Sequence, residues 1–232
     1  MGYTKEILIV VVSALVLSFL IKTFLFQSFW IPSGSMEPTL VYGDRILVTK
    51  WRPDPQPLRR GDIIVFKDPG NWLPADDAPS SGLKTVGKDI LTFTGLLPED
   101  AGEHLVKRIV GLGGDHVECA DPDGKVEVNG EEITEDYILA GTRPCGTTFS
   151  VTVPEGYLWV MGDNRDNSAD SRAHMGQPGG GTVPRDNVVG TAFVLVWPFD
   201  RFTSLSNPFG DDAVSEDDLA TQNPVPTASA TP

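Results

Sequence analysis

The chain has 232 residues, a length that allows one domain, or one domain with an inserted subdomain, and that suffices to bury a hydrophobic core. It carries 18 Lys and Arg against 32 Asp and Glu, which gives a formal net charge of −14, and it has no basic block. This composition argues against nucleic acid as a partner, because binding to a phosphate backbone depends on clustered positive charge.

A long apolar run opens the chain. Residues 7–30 contain one charged residue, Lys22, and are long enough to span the roughly 30 Å of hydrocarbon in a bilayer. A cleaved signal peptide would need a shorter apolar core and a cleavage site of small residues. The sequence QSFWIPSG at the end of the apolar run contains no such site. A buried core helix is the other alternative. We predict a retained transmembrane signal-anchor over residues 7–30, a cytoplasmic tail of residues 1–6, and a domain outside the cytoplasm.

Residues 31–40 (IPSGSMEPTL) follow the apolar run and place two hydroxyl groups, Ser33 and Ser35, on either side of a glycine. Proline fixes φ and glycine permits positive φ, so the spacing predicts a shaped turn rather than a helix. These ten residues fit a polar linker as well as a functional turn.

The rest of the chain has the pattern of a mainly β protein. Short apolar runs bounded by turn sequences, such as Asp123-Gly124 and Asn129-Gly130, predict strands. The predicted strands cover residues 45–49, 63–66, 105–110, 117–119, 125–128, 131–133, 149–153, 157–161 and 188–197. We therefore predict a β domain over residues 31–206, with a variable loop at 69–102 and a β insertion around 111–155. Residues 207–232 have the composition of a disordered acidic tail.

The strand at 105–110 carries two adjacent cations. Alternate residues of a strand share a face, so Lys107 and Arg108 point in opposite directions, each beside apolar neighbours. A buried lysine has a lowered pKa, and in its neutral form it is a base that can activate a serine hydroxyl. The alternative is a pair of edge-strand cations that prevents aggregation.

Residues 162–172 (GDNRDNSADSR) are dense in hydrogen-bonding side chains. They fit a solvated loop, a cation site, or a polar network that orients another group, with Asp170 and Arg172 as an ion pair. The form of an EF-hand is excluded, because its glycine and its final glutamate are missing.

Other chemistries have weaker support. The S-x-x-K match at 81–84 has no Lys-Thr-Gly after it, and no histidine carries a triad signature. We predict no metal and no cofactor, since neither cysteine belongs to a CxxC and the three histidines lie far apart. Cys119 and Cys145 fit one disulfide or two buried thiols.

Four segments occur in a fixed order after the apolar run: PSGSMEPT (32–39), GDIIVF (61–66), KRIVGLGGD (107–115) and GDNRDNSADSR (162–172). Together they resemble bacterial type I signal peptidases over about residues 31–200. The resemblance implies an antiparallel β-sheet fold with its site near the membrane surface. It also implies a serine endopeptidase that removes signal peptides from secreted preproteins after an Ala-x-Ala site, using a Ser–Lys dyad and no cofactor.

The resemblance implies roles by motif position. Ser35 corresponds to the nucleophile and Lys107 to the general base. The Ser33 hydroxyl and the Ser35 backbone N–H would bind the oxyanion. Ser168 would orient the lysine, with Asp170 and Arg172 as its supporting pair.

The remaining expectations concern the substrate and the surrounding loops. Substrate pockets are expected along Ile31, Pro32, Met36, Leu105 and Val106. A location outside the cytoplasm favours a Cys119–Cys145 disulfide. The Gly-rich stretch at 175–182 departs from the family pattern and leaves the loop near Ser168 undefined.

Two other functions remain open. One is a catalytically silent, membrane-anchored domain of the same fold that binds preproteins through an edge strand. The other is a self-cleaving DNA-binding regulator with a Ser–Lys dyad, which the net charge of −14 and the apolar run argue against.

Overall fold

The N-terminal end of the chain is helical in the computed structural model, which describes residues 2–24, 26–49, 57–70, 72–73, 104–210 and 213–222. Helix α1 runs Gly2–Phe24. Apolar side chains along it, including Ile7, Leu8 and Leu17, are exposed. Within the described ranges, no helix combines the length and the apolar character that crossing a membrane requires.

Twelve strands are present in the described part of the chain. They are β1 (Phe26–Trp30), β2 (Arg45–Thr49), β3 (Ile63–Lys67), β4 (His104–Gly111), β5 (His116–Cys119), β6 (Glu127–Val128), β7 (Glu131–Glu132), β8 (Phe149–Thr152), β9 (Tyr157–Met161), β10 (Val183–Pro184), β11 (Val188–Trp197) and β12 (Thr203–Ser204). A second helix, α2, spans Glu216–Gln222, and short 3-10 helices span Arg165–Asn167, Ser171–His174, Arg185–Asn187 and Phe199–Arg201.

The strands form two antiparallel sheets. The main sheet has the order β1-β2-β11-β3-β4-β9-β10, with β12 added to β11, and the small sheet has the order β7-β6-β5-β8. The predicted mainly β, antiparallel architecture is confirmed. The small sheet is formed by the stretch that was predicted to be a β insertion, between β4 and β9.

The predicted anchor of residues 7–30 is wrong in its last five residues. Phe26–Trp30 is not helical but pairs with β2 in antiparallel register, from Phe26↔Thr49 to Trp30↔Arg45. Its aromatic residues favour strand structure, and hydropathy alone does not separate them from the apolar run before them. The chain therefore joins the main sheet before it reaches residue 31.

The predicted disordered tail is wrong for the described residues between 207 and 222. Ser215 caps α2 through Asp218, accepting from its backbone N–H at 3.3 Å and donating to its carboxylate at 2.6 Å. Glu216 pairs with Arg185 at 2.7 Å, and Leu219 packs on the hydrophobic core. Local capping and one apolar anchor thus hold a segment whose composition suggested disorder.

Several predicted segments lie partly or wholly outside the described residues. Residues 74–102 of the variable loop, which include the S-x-x-K match at 81–84, lie outside the described residues, and so do residues 223–232.

Three clusters of buried apolar side chains form the core, and the middle strands of the main sheet contribute to all of them. One cluster contains Ile31, Met36 and Leu40, and another lies between the small sheet and β9, around Trp159. Burial of each such side chain stabilises the fold by about 1.5–3 kcal/mol. The turn at residues 31–40 is consequently fixed to the main sheet by its own apolar residues.

Candidate active site

The turn at residues 31–40 is ordered by apolar anchors on both sides of Ser35. Ile31, Met36 and Leu40 are buried, and the Leu40 N–H donates to the Met36 carbonyl at 2.9 Å. The Ile31 N–H donates to the Asp44 carbonyl at 2.9 Å. These contacts hold Ser35, itself buried, in one position relative to the sheet.

Ser35 and Lys107 meet across the fold, although 72 positions separate them in the chain. The Lys107 ammonium nitrogen donates to Ser35 Oγ at 2.8 Å and to the Val106 carbonyl at 3.0 Å. Lys107 lies on β4, paired with Ile64 of β3 in the middle of the main sheet. A serine hydroxyl and a lysine nitrogen at this distance are arranged for direct proton transfer.

The charge of Lys107 is poorly stabilised in this position. Its side chain is 3% exposed, and no carboxylate of the described residues forms a salt bridge with it within 4.0 Å. Burial lowers the pKa of Lys107 from 10.5 to about 8, although the charges of Asp170 and Asp163 act in the opposite direction. Lys107 is thus about half neutral at pH 8 and mostly neutral above it, and the neutral form can accept a proton.

Ser33 lies on the open side of the same turn. Its hydroxyl oxygen is 3.3 Å from Ser35 Oγ, and its side chain is exposed. A hydroxyl so close to the candidate nucleophile is placed to donate to an oxygen that develops charge when Ser35 attacks a carbonyl.

The polar segment at 162–172 packs against the turn that contains Ser35. The Asn164 N–H donates to the Ser35 carbonyl at 3.1 Å, and the Asn164 side-chain amide donates to the Gly34 carbonyl at 3.1 Å. A Cβ added to Gly162 would overlap both Ser168 Oγ and the Ser35 carbonyl oxygen. Gly162 and Asn164 were not predicted as site residues, although the dense polar segment contains both.

Asp170 and Arg172 form the predicted ion pair, with Arg172 Nη2 2.7 Å from Asp170 Oδ2. Asp170 also accepts the backbone N–H of Gly162 at 3.0 Å. Burial alone would raise the pKa of Asp170, but the hydrogen bond and charge of Arg172 and the Gly162 N–H outweigh it, so the pKa is lowered. The carboxylate therefore stays ionised and ties the segment to the strand β9 that precedes it.

Ser168 lies next to the Asp170–Arg172 ion pair. Its hydroxyl oxygen is buried and adjoins Gly162. It is close enough to Asp170 to favour the carboxylate, but it meets hydrogen-bond geometry with none of the described residues. The Ser168 hydroxyl thus lies beside both the Asp170 carboxylate and the candidate site.

The opposite face of β4 contains a different arrangement. Arg108 donates to Asp163 through Nε at 2.9 Å and Nη2 at 2.6 Å, and through Nη1 to the Gly61 carbonyl at 2.7 Å. Thr39 donates to the same Asp163 carboxylate at 2.5 Å. This bidentate pair connects β4 to the turn that contains Ser35, and it keeps the guanidinium fully engaged.

The five residues predicted to line substrate pockets do not share one environment. Pro32 is exposed, Leu105 and Val106 are partly buried, and Ile31 and Met36 are buried in the core. A cavity of about 330 Å³ lies on the Arg108 side, and none of the five lines it. The pocket assignment stays a prediction.

The structure contains the Cys119–Cys145 pairing that was expected from a location outside the cytoplasm. Cys119 at the end of β5 is bonded to Cys145, with a Cα–Cα distance of 6.3 Å. The disulfide lies in the hydrophobic cluster of the small sheet rather than at the Ser35–Lys107 pair. Among the described residues, no group of three or more His, Cys, Asp or Glu is arranged to hold a metal ion.

The Gly-rich stretch at 175–182 is a defined turn. Gly179, Gly180 and Gly181 all have positive φ, and a Cβ at Gly181 would overlap the Ser171 carbonyl. Only glycine fits this combination of backbone conformation and close approach. The stretch thereby packs against the 3-10 helix that follows Asp170.

Comparisons with known proteins agree with these observations. The family model described as "Signal peptidase, peptidase S26" matches residues 4–197. The chain is 41% identical to the probable signal peptidase I of Mycobacterium leprae over 87% of this chain and 79% of that protein. It is 40% identical to the signal peptidase I of Mycobacterium tuberculosis over 85% and 74%, and 33% identical to the probable signal peptidase I-2 of Synechocystis over 95% and 86%. The chain belongs to the signal peptidase family, peptidase S26.

Proposed function

We propose that this protein is a membrane-bound serine endopeptidase that removes signal peptides from secreted preproteins after an Ala-x-Ala-type site. Membership of the peptidase S26 family and the relatives named signal peptidase I support this activity. The observation on which the mechanism rests is the 2.8 Å hydrogen bond between Lys107 Nζ and Ser35 Oγ, two buried groups of which one is a lysine with a lowered pKa.

Neutral Lys107 accepts the proton of Ser35 as Oγ attacks the carbonyl carbon of the scissile bond. The resulting oxyanion receives hydrogen bonds from the Ser33 hydroxyl and the Ser35 backbone N–H. Protonated Lys107 then gives its proton to the leaving amine, and the acyl-enzyme forms. Water, deprotonated in turn by Lys107, hydrolyses the ester and restores Ser35. Loss of one oxyanion donor in comparable sites costs about 2.7–4 kcal/mol of barrier.

The polar network keeps the two reacting side chains in place. Asp170 and Arg172 fix the segment that packs on the Ser35 carbonyl through Gly162. The hydroxyl of Ser168, which lies beside Asp170, is available to orient the lysine when a substrate excludes water from the site. Residues Ile31, Pro32, Met36, Leu105 and Val106 are proposed to contact the small side chains before the cleavage site.

The proposal includes attachment to the bilayer through the N-terminal apolar run, with the N terminus in the cytoplasm and the β domain outside. The absence of charged residues between residue 7 and residue 21 and the exposure of the described apolar side chains of α1 support it. An anchor beside the site would raise the effective concentration of a membrane-embedded signal peptide. Carbonate extraction and protease protection of inverted vesicles test this part: extractable protein, or a β domain cleaved only from the cytoplasmic side, would contradict it.

The central experiment is cleavage of an Ala-x-Ala preprotein by the purified full-length protein in detergent. We expect Ser35→Ala to reduce kcat by about 10⁴-fold or more, because it removes the nucleophile. Ser150→Ala, at an exposed serine of the small sheet, is the matched control and should leave kcat unchanged. Full activity of Ser35→Ala would rule out the proposed mechanism. Preprotein binding by the wild type without release of a fragment would instead favour a silent binding domain.

A further inference from the structure

We propose that the Cys119–Cys145 disulfide positions the catalytic network through the backbone carbonyl groups of Pro144 and Cys145, so that the oxidised protein is the fully active form. This inference rests on the proposed function, since it assigns a positioning role relative to Ser35 and Lys107.

Two buried arginines of the polar segment depend on carbonyl groups next to the disulfide. Arg172 Nη1 donates to the Cys145 carbonyl at 2.6 Å, and Arg165 Nη1 donates to the Pro144 carbonyl at 2.5 Å. Both guanidinium groups are buried, so a lost acceptor could not be replaced freely by water.

Both arginines hold Gly162 in position, Arg165 directly and Arg172 through Asp170. Arg165 Nε donates to the Gly162 carbonyl at 3.0 Å. Arg172 donates to Asp170, which in turn accepts the Gly162 N–H at 3.0 Å. Gly162 packs without space for a Cβ against the Ser35 carbonyl and the Ser168 hydroxyl. A displacement of residues 144–146 would therefore be transmitted through two buried guanidinium groups to the Ser35 turn.

Apart from the disulfide, the contacts of the carbonyl-bearing segment run mainly to the polar segment itself: the Leu139 N–H donates to the Asp163 carbonyl at 3.0 Å, and Arg143 pairs with Asp166 at 3.4 Å. Residues 139–148 form turns rather than strands. The backbone N–H groups of Cys145 and Gly146 share one acceptor, the Pro122 carbonyl, at 3.3 and 3.0 Å. The covalent bond joins Cys145 to Cys119, which ends β5 and pairs with Phe149 of β8. The disulfide is thus the connection that ties this turn to a hydrogen-bonded strand.

The redox step involves only the two thiols and an external disulfide. Thiol–disulfide exchange with that oxidant joins Cys119 and Cys145, and the oxidant takes up the two electrons and the two protons that the thiols lose. A compartment outside the cytoplasm supplies oxidants of this class. Protein that reaches such a compartment with reduced thiols would be folded but slow until exchange is complete.

The first test compares the full-length wild type with the double variant Cys119→Ser/Cys145→Ser on the same preprotein. We expect kcat to fall by about 10- to 100-fold, because small misplacement of reacting groups has effects of this size, while KM changes little. The acidic limb of the pH profile should move to lower pH, since a displaced Asp170 no longer raises the pKa of Lys107 as strongly. Reduced wild type with two titratable thiols should match the variant, and oxidised glutathione should restore it.

A second variant tests the path of transmission while the disulfide stays intact. Gly146 has φ of +68°, and a Cβ there would lie 3.0 Å from Arg172 Nη1. Gly146→Ala should therefore displace the arginine and reduce kcat in the same way. Val126→Ala, which removes a buried side chain from the same cluster and leaves the sequence of residues 144–146 unchanged, controls for loss of stability alone and should keep kcat.

The outcomes separate this inference from the proposed function. If Ser35→Ala is inactive but the double variant and Gly146→Ala both keep wild-type kcat and pH profile, the positioning role is overturned and the peptidase mechanism stands. If Ser35→Ala is active, the proposed mechanism itself is wrong. If Val126→Ala loses as much kcat as the double variant, general destabilisation explains the effect and the positioning role is overturned.

Discussion

The two faces of β4 contain adjacent cations that are almost equally buried, at 3% exposure for Lys107 and 2% for Arg108. Arg108 is neutralised by a bidentate contact with Asp163, whereas Lys107 contacts a serine hydroxyl and a carbonyl oxygen. The comparison shows that burial alone does not decide what a buried cation does. Burial lowers the pKa of Lys107, which contacts no carboxylate, so this lysine is suited to act as a base. The Arg108 guanidinium is not suited to act as a base, and its contact with Asp163 gives it a structural role.

The largest expected effect comes from removing the base. Lys107→Met keeps the length and apolar stem of the side chain but cannot accept a proton, so we expect kcat to fall by about 10⁴-fold. Preprotein cleavage by the purified protein measures the change. Lys125→Met, at an exposed lysine just before β6, is the matched control. A Lys107→Met variant that retained one tenth of the activity would place the base elsewhere.

The next largest effect is expected on stability, when the buried Arg108 loses its charge partner. Asp163→Asn leaves the Arg108 guanidinium buried without its charge partner, and we expect the free energy of unfolding to fall by about 3–5 kcal/mol. Urea unfolding followed by near-ultraviolet circular dichroism measures it. The control is Asp166→Asn, whose partner Arg143 lies 3.4 Å away in an exposed pair that contributes at most about 1 kcal/mol. Equal losses in both variants would contradict the contrast between paired and exposed charges.

The pH dependence of the free energy of unfolding directly tests the lowered pKa of Lys107. The pKa of Lys107 is lowered in the folded protein to about 8 from 10.5, so between these pH values the unfolded state binds more protons than the folded state. The free energy of unfolding should therefore rise with pH across this window, by up to about 3 kcal/mol, relative to Lys107→Met. The kcat/KM of the wild type should rise over the pH range up to about 8 and then level off. Parallel stability profiles for the two proteins would show that Lys107 has an ordinary pKa.

The smallest effect in this series is expected for a substitution at Gly162. Gly162→Ala forces the Ser35 carbonyl or Ser168 to move, and we expect kcat to fall by about 100-fold because the Ser35–Lys107 geometry is disturbed. Gly176→Ala is the control, since a Cβ there meets open space and its φ is not in the left-handed region. Activity of Gly162→Ala within twofold of the wild type would show that the turn tolerates the displacement.

Particular elements show how far the sequence alone leads. The strands at 45–49, 157–161 and 188–197 agree with the structure because their apolar runs are bounded by turn residues. β1 was missed because its aromatic residues continue the apolar run of α1, and its partner β2 follows only after the intervening turn. Helix α2 was missed because a seven-residue acidic helix has no apolar periodicity, although the Ser215–Asp218 capping pair was present in the sequence.

The sequence by itself determined which groups could do chemistry and that Lys107 and Arg108 point to opposite sides of one strand, because side-chain alternation is a local property of the backbone. Only the tertiary structure decided which cation receives a carboxylate. Asp163 and Asp170 lie in one irregular segment, and the path of that segment depends on long-range contacts with the Ser35 turn and with the disulfide-linked residues. No local periodicity encodes such a path. Which of Lys107 and Arg108 pairs with a carboxylate therefore could not be inferred before the fold was known.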